Sequence, residues 1–198
     1  MKSTPDTPYG VHPAYAMEAK AIAGLKAKTG RTLDEWITFI RTSGPKAESD
    51  RASWLKEKHG LGTNYAKWLA TLPSGKPETP DPDGMVNALY AGDRAALRPV
   101  HDALVKLALA LGRDVTITPC STMVPIRRRY AIAQIKPTTK TRIDLGLALR
   151  DTKPAGRLID TGGFAKKDRI SHRIPITSIR EIDDEVKRWL RKAYEMDA

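Results

Sequence analysis

The sequence has few of the residues that common small-protein chemistries require. Cys120 is its only cysteine, which excludes an intrachain disulfide framework and a cysteine-rich zinc site. Aromatic residues make up only 6% of the 198 residues. The four histidines show no i, i+4 spacing, and neither a Walker A loop nor a G-x-G-x-x-G loop occurs. The sequence therefore implies no metal and no cofactor.

Long apolar runs are absent as well. No apolar stretch reaches the roughly 18 residues that a membrane-spanning helix needs. The first dozen residues also lack the apolar segment of a secretory signal. Together with the single thiol, these absences predict a cytoplasmic protein that does not use a membrane.

Positive charge exceeds negative charge, and the excess is concentrated in one segment. The chain has 34 Lys and Arg against 23 Asp and Glu, a net charge of +11. Residues 120–173 contain 13 basic and 4 acidic side chains, whereas residues 1–80 contain 12 and 8. A basic surface attracts polyanions. The charge therefore indicates nucleic acid, anionic lipid or an acidic protein as the partner.

Composition divides the chain into two modules. Residues 1–12 resemble a flexible leader with little to bury. Half of the twelve residues in 73–84 are Pro or Gly, which is typical of a stiff, extended linker. This linker separates a helical domain over residues 13–72 from an α+β domain over residues 85–198.

Apolar spacing and helix signals predict that the first module is all helical. A helix is expected from Pro13 to Lys28, and Thr32 and Glu35 form a capping box for the next one. Asp50 can cap a third helix. The segment Gly60–Gly62 then turns the chain into a fourth.

The second module begins with helices and continues as a sheet. Its clearest strand covers residues 141–149, where apolar and polar residues alternate. A capping box of Ser178 and Glu181 predicts the final helix. The predicted order is α-β-β-β-β-α, an antiparallel sheet packed on its flanking helices. Period-two alternation places one strand face against the helices that contain Leu104 and Val186; that face consists of Ile143, Leu145, Leu147 and Leu149.

Several motifs resemble known families. TGRTLDEWI at 29–37 and WLKEKHGLGTNYA at 54–66 resemble an uncharacterised bacterial domain-of-unknown-function family over roughly residues 12–72. The segment 97–194, with RPVHDAL, TTKTRIDLGL and DEVKRWLRKAY, resembles a second uncharacterised domain that often follows the first. Neither resemblance implies a reaction. The element order of the second module is also similar to the YjbR-like double-wing domains, and this similarity implies DNA binding.

The segment from Gly60 to Leu69 looks like the G-h-G-x-x-x-A-x-x-h core of a helix-hairpin-helix motif. In that motif, backbone N–H groups at the start of the second helix bind a nucleic-acid phosphate. Lys67 would add positive charge. Alternatively, Gly60 simply ends one helix and Gly62 allows close packing.

Basic turns connect the predicted strands and suggest two wings that grip a phosphate backbone. The alternative is that these charged turns are solvated and keep sheet edges from pairing. The residues predicted to contact phosphate, in addition to Gly60, Gly62 and Lys67, are Arg127, Arg128, Arg129, Lys136, Lys140, Arg142, Lys166, Lys167 and Arg169.

Enzymatic interpretations have less support in the sequence. Leu158–Gly162 looks like the DTG signature of aspartic proteases, which requires a second carboxylate besides Asp160. Ser171 and His172, which are adjacent in sequence, and Cys120 could be paired into a nucleophile and a base, but sequence adjacency does not set their geometry. Asp144 is expected to form a surface ion pair.

These observations favour a non-enzymatic protein that binds the backbone of DNA or RNA with little regard to sequence. The first alternative is an adaptor module for an acidic protein partner. The second alternative is an unrecognised hydrolase.

Overall fold

The computed structural model describes residues 7–74 and 81–198, which form two compact units. The described part of the first unit, residues 13–74, is all helical. The second unit combines residues 7–12 with residues 81–198 and is α+β. This is the fold class that the sequence predicts. No helix in the described ranges has the length and apolarity needed to cross a membrane.

The helical unit follows the predicted helices closely. Its α-helices, as far as the described residues show, are α1 (Pro13–Thr29), α2 (Leu33–Ser43), α3 (Glu48–His59) and α4 (Thr63–Thr71). The capping box at the start of α2 forms, because Glu35 N–H donates to Thr32 Oγ1 and Thr32 N–H donates to Glu35 Oε2. Residues from all four helices share one buried cluster, which includes Leu25, Trp36, Ile40, Leu55 and Leu69.

The start of α3 differs from the prediction. The N-cap position is Ala47, which makes no side-chain hydrogen bond, and Asp50 lies inside the first turn instead of capping it. A carboxylate in the first turn still interacts favourably with the positive end of the helix dipole. Asp50 therefore marks the region of the helix start without defining its first residue.

The linker prediction over residues 73–84 is wrong at both of its ends. Leu72–Ser74 form a 3₁₀ turn, and the helix α5 begins at Pro82. The Asp81 carboxylate accepts a hydrogen bond of 2.9 Å from Gly84 N–H, and proline suits the first turn of a helix because its missing N–H would be unpaired there. The remaining linker residues, 75–80, lie outside the described residues.

The second unit contains a sheet and the helices packed on it. Its α-helices are α5 (Pro82–Leu89), α6 (Arg98–Leu109) and α7 (Asp184–Glu195). Pro99 lies in the first turn of α6, as its fixed φ favours. The helix α7 starts later than predicted, because Asp183 caps it and residues Ile179–Glu181 form a separate 3₁₀ turn. The strands are β1 (Thr116–Ile117), β2 (Val124–Arg127), β3 (Ala131–Pro137), β4 (Ile143–Leu147), β5 (Ile159–Asp160) and β6 (His172–Ile176).

All sheet pairings between these strands are antiparallel. Within the described residues the sheet has six strands in the order β1-β2-β3-β4-β6-β5, two more than the predicted order contains. The two outermost strands have only two residues each; the alternation of Val115 and Ile117 with polar residues indicates β1, whereas β5 is too short for a period-two signal. The predicted core strand is correct, because Ile143, Leu145, Leu147 and Leu149 share one buried cluster with Leu104 and Val186.

Part of the predicted flexible leader packs against the second unit. Gly10 N–H donates to Ile117 O at 2.7 Å, and Tyr9 pairs with Ile117 beside β1. The buried imidazole of His101 lies between two phenols, with its Nε2 2.9 Å from the Tyr9 hydroxyl and its Nδ1 3.1 Å from the Tyr90 hydroxyl. The leader prediction is therefore wrong for residues 7–12, and residues 1–6 lie outside the described residues.

Replacing Leu145 by Ala should lower the free energy of unfolding by roughly 2–4 kcal/mol, because it removes buried methyl groups and leaves a cavity in the core. Urea denaturation followed by circular dichroism measures this loss. A loss below about 0.5 kcal/mol, the size expected of a surface change, would contradict the burial of this strand face.

The His101 site should make stability depend on pH. Burial lowers the pKa of His101 from 6.5 to about 4. Between these values the unfolded chain binds a proton that the folded chain does not, so stability is fully present above pH 6.5 and is lost as the pH falls toward 4. The loss should approach about 3 kcal/mol.

Denaturant titrations between these two pH values test this expectation. His101→Gln keeps hydrogen-bonding groups but does not titrate, so the variant should lack this part of the pH dependence. Equal slopes of stability against pH in the variant and the parent would contradict the assignment.

Candidate nucleic-acid interface

The basic turns lie at two different ends of the sheet. Successive antiparallel hairpins turn at opposite ends. The β2–β3 turn and the β3–β4 turn are therefore separated by the seven residues of β3, about 20 Å. The predicted pair of wings at 127–129 and 136–142 does not form one gripping site.

The β3–β4 turn has little free positive charge. Lys140 pairs with Asp93, and Arg142 pairs with Asp144 at 3.0 Å. The Asp144 carboxylate also accepts hydrogen bonds from Arg173 at 2.7 Å and Thr138 at 3.0 Å. Asp144 is nearly buried, so it is a structural acceptor rather than the exposed surface ion that the sequence suggests. Lys136 is exposed at the end of β3.

Arg128 is committed to a contact within the unit. Its Nε donates to Asp114 Oδ2 at 2.6 Å, and its guanidinium lies 4.2 Å from the centre of the Tyr194 ring. The hydrogen bond from Arg128 lowers the pKa of Asp114, and a second one from the Tyr194 hydroxyl adds to this effect. Arg128 is therefore already paired with a carboxylate in this structure, and its predicted contact with phosphate stays a prediction.

Arg169 is exposed, but its charged group is also paired within the unit. It forms an ion pair with the buried Asp197, and its Nε donates to Ala131 O at 2.7 Å. The other Asp197 oxygen accepts a hydrogen bond from Tyr130 N–H at 2.9 Å. Arg169 also lies 4.7 Å from the centre of the Tyr130 ring. It therefore joins the β5–β6 loop to the β2–β3 turn instead of offering its charge to a ligand.

Joining these two segments brings exposed cations and exposed aromatic rings to one end of the sheet. Tyr130 and Phe164 are each 51% exposed. None of the four cations beside them has a carboxylate ion pair within residues 7–74 and 81–198; Arg127 is half-buried, and the other three are exposed. We name this set the basic rim: Arg127, Arg129, Tyr130, Phe164, Lys166 and Lys167.

The two aromatic residues of the rim were not among the site residues predicted from the sequence. Both occur in basic turns, in the segments RRRY and GGFAKK, outside any apolar stripe. An aromatic residue in a polar turn is not expected to enter the core, so these two positions in the sequence indicate exposed rings. Arg150, which follows β4, was also not predicted as a site residue.

The predicted turn between α3 and α4 forms. Gly60 has a φ of +65° and donates its N–H to Lys56 O at 3.1 Å, which ends α3. Gly62 is the exposed N-cap of α4 and gives it no side-chain cap. Lys67 is exposed one turn further along α4. The geometry fits both a phosphate-binding turn and a simple helix connection.

The enzymatic candidates have structural roles. Leu149 N–H donates to Ser171 Oγ at 3.2 Å, Ser171 Oγ contacts His172 Nδ1 at 2.8 Å, and His172 Nε2 contacts Thr152 O at 2.8 Å. Because a carbonyl only accepts, Nε2 carries the proton and Nδ1 accepts from the serine hydroxyl. We name these four residues the Ser171–His172 chain. Both side chains are almost fully buried, at 1% exposure each.

The other reactive groups are also occupied or weak. The Asp160 carboxylate accepts a hydrogen bond from Gly162 N–H at 2.7 Å, as in an ordinary turn. Burial raises the pKa of the Cys120 thiol, which reduces its thiolate fraction. Among the residues that the structure describes, no three His, Cys, Asp or Glu side chains are grouped to hold a metal ion.

Comparison with known families places both units. The α+β unit, a sheet packed on flanking helices, matches the family described as Domain of unknown function (DUF5655) over residues 86–197. The chain belongs to this family. Residues 18–73, in the helical unit, match the family described as Domain of unknown function (DUF4287), so the two domains occur in tandem as the sequence predicts. Searches of curated proteins and of solved structures gave no match.

The two glycines of the α3–α4 turn should respond differently to substitution. Gly60→Ala should cost roughly 1–2 kcal/mol, because its φ of +65° is unfavourable for a residue with a Cβ atom. A Cβ at Gly62 would meet no atom within 4 Å and its φ is −60°, so Gly62→Ala adds no backbone strain and should cost less, about 0.5 kcal/mol, because alanine is a poorer N-cap residue than glycine. Thermal melts compare the variants, and equal losses in both would contradict this geometry.

Proposed function

We propose that the protein binds single-stranded nucleic acid through the basic rim, without chemistry and with little dependence on base sequence. The observation that carries this proposal is the presence of two half-exposed rings, Tyr130 and Phe164, among cations that lack carboxylate partners in the described residues. Aromatic rings stack on bases of any sequence, and cations follow the phosphate backbone. This combination favours a single strand, whose bases are free to stack, over a duplex.

The rim also has the rigidity that a binding surface needs. The ion pair between Arg169 and Asp197 and the hydrogen bond from Arg169 to Ala131 O fix the β5–β6 loop against the β2–β3 turn. Arg169 also packs on the Tyr130 ring. The two segments that present the rings and cations are therefore held together before a ligand binds, which reduces the entropic cost of binding.

The helical unit offers a second contact in this proposal. The N–H groups at the start of α4 point from an exposed turn that has no side-chain cap. Gly62→Val should weaken binding if these groups contact phosphate. Because a Cβ at Gly62 meets no neighbour, a folded variant with unchanged affinity would restrict the proposal to the rim.

Fluorescence-anisotropy titrations with a labelled single strand at several salt concentrations test the rim. Each phosphate contact contributes about −0.7 to the slope of log K against log salt for a single strand. The double variant Arg129→Gln/Lys166→Gln should therefore flatten the slope by about 1.4. The matched control is Lys136→Gln/Lys140→Gln, which removes the same charge at the opposite end of the sheet and should keep the slope.

The ring is tested separately. Tyr130→Leu keeps apolar packing against Arg169 but loses stacking, so it should weaken single-strand binding by roughly 1–3 kcal/mol. Duplex binding should change much less.

Equal slope changes in the two double variants would contradict the assignment to the rim. Absence of binding at ~50 mM salt and ~10 µM protein, where non-specific binders are partly bound, would contradict nucleic-acid binding altogether. An acidic protein would then be the better candidate for the partner.

A further inference from the structure

Two unusual backbone positions line one cleft beside the rim. Arg150 has a φ of +53° and Lys167 has a φ of +60°, and within residues 7–74 and 81–198 no other residue except glycine has a positive φ. Side chains rarely adopt this conformation, and it costs about 1 kcal/mol or more for a residue with a Cβ atom. Both residues are basic, and both line the same cleft of about 430 Å³.

Hydrogen bonds hold both turns in this conformation. Thr152 N–H closes the Arg150 turn on Leu149 O at 3.1 Å, and the Ser171–His172 chain connects both of these turn residues to β6. The Lys167 turn is closed by Lys167 N–H on Phe164 O at 3.0 Å and by Asp168 N–H on Gly163 O at 2.9 Å. The backbone positions from which the two cations extend are therefore fixed.

The lining of the cleft combines cations with apolar residues. Arg150 and Lys167 have no carboxylate ion pair among the described residues, whereas Arg169 is neutralised by Asp197. The one carboxylate in the lining, Asp168, accepts a hydrogen bond from Ile170 N–H at 3.0 Å. The apolar part of the lining consists of Ala148, Phe164, Ala193 and Met196.

These features fit one class of ligand. A phosphate group suits two cations that extend from fixed turns, and a flat heteroaromatic ring suits an exposed phenyl ring with apolar neighbours. The volume of the cleft falls in the range of small-ligand sites. We propose that the cleft binds one nucleotide unit, with its phosphate at Arg150 and Lys167 and its base against Phe164.

The source of that unit is either a free mononucleotide or the phosphorylated end of a strand held on the rim. The second source rests on the proposed function, and the first does not. Adenosine 5′-monophosphate and single-stranded oligonucleotides with and without a 5′-phosphate distinguish the two sources.

The backbone geometry supplies a sharp test. Arg150→Gly and Lys167→Gly each remove a cation at a position that glycine prefers, so both variants should keep or raise the melting temperature. Each should weaken binding of the mononucleotide, or abolish the preference for a 5′-phosphate, by about tenfold, because each loses a charge-assisted contact. Lys153→Gly is the matched control, since Lys153 is exposed but does not line the cleft, and it should bind like the parent.

Calorimetric titration measures the mononucleotide, and anisotropy measures the oligonucleotides. Weaker mononucleotide binding in both glycine variants supports a free nucleotide, even if no oligonucleotide binds and the proposed function fails. Loss of only the 5′-phosphate preference supports a strand end. If both variants behave like the parent toward every probe, or if the parent shows neither mononucleotide binding nor a 5′-phosphate preference, the cleft proposal is wrong. Oligonucleotide binding that still depends on Arg129 and Lys166 would then leave the proposed function standing.

Discussion

The buried hydrogen bonds of the Ser171–His172 chain determine the geometry of the Arg150 turn, on which the cleft depends. Starting from Leu149 N–H, each group donates to the next until His172 Nε2–H reaches Thr152 O. The chain joins the residues that follow β4 to the first residue of β6, and so fixes the turn that contains Arg150. Because Ser171 and His172 are almost fully buried, breaking one of these bonds would leave a polar group without water as a substitute. A serine beside a histidine suggests catalysis in the sequence; in the structure, their hydrogen bonds position the turn that contains Arg150.

Fewer cations are available to a ligand than the net charge suggests, because carboxylates distant in sequence pair with some of them. Asp114 neutralises Arg128, Asp197 neutralises Arg169, and Asp93 pairs with Lys140. These three carboxylates come from outside residues 120–173, the segment with the large positive excess. The net charge of a segment therefore overestimates the number of cations that lack a carboxylate partner. The rim cations are among those that folding leaves without such a partner in the described residues.

The helices and the core strand were predictable because their signals are local. The capping box of Thr32 and Glu35 and the alternation around Leu145 each require only neighbours in sequence. The contact between Tyr9 and His101 was not predictable, because it joins residues 92 positions apart. The opposite placement of the two hairpin turns followed from antiparallel geometry and was missed. The rim was predictable only in part from the sequence, because the ion pairs of Arg128 and Arg169 depend on the fold.

The conformations of Arg150 and Lys167 indicate where folding and function make different demands. Both side chains are exposed, so neither contributes to the core, and glycine would relieve the backbone at both positions. Arg150 Nη2 makes one long hydrogen bond, 3.5 Å to Met196 O just after α7. Their shared feature is the cleft that they line, between the Arg150 turn, the Lys167 turn and the end of α7. Each of the two turns has a basic residue where glycine would be more stable, and both residues line the same cleft. Binding of a ligand in this cleft explains the two basic residues better than the stability of the fold does.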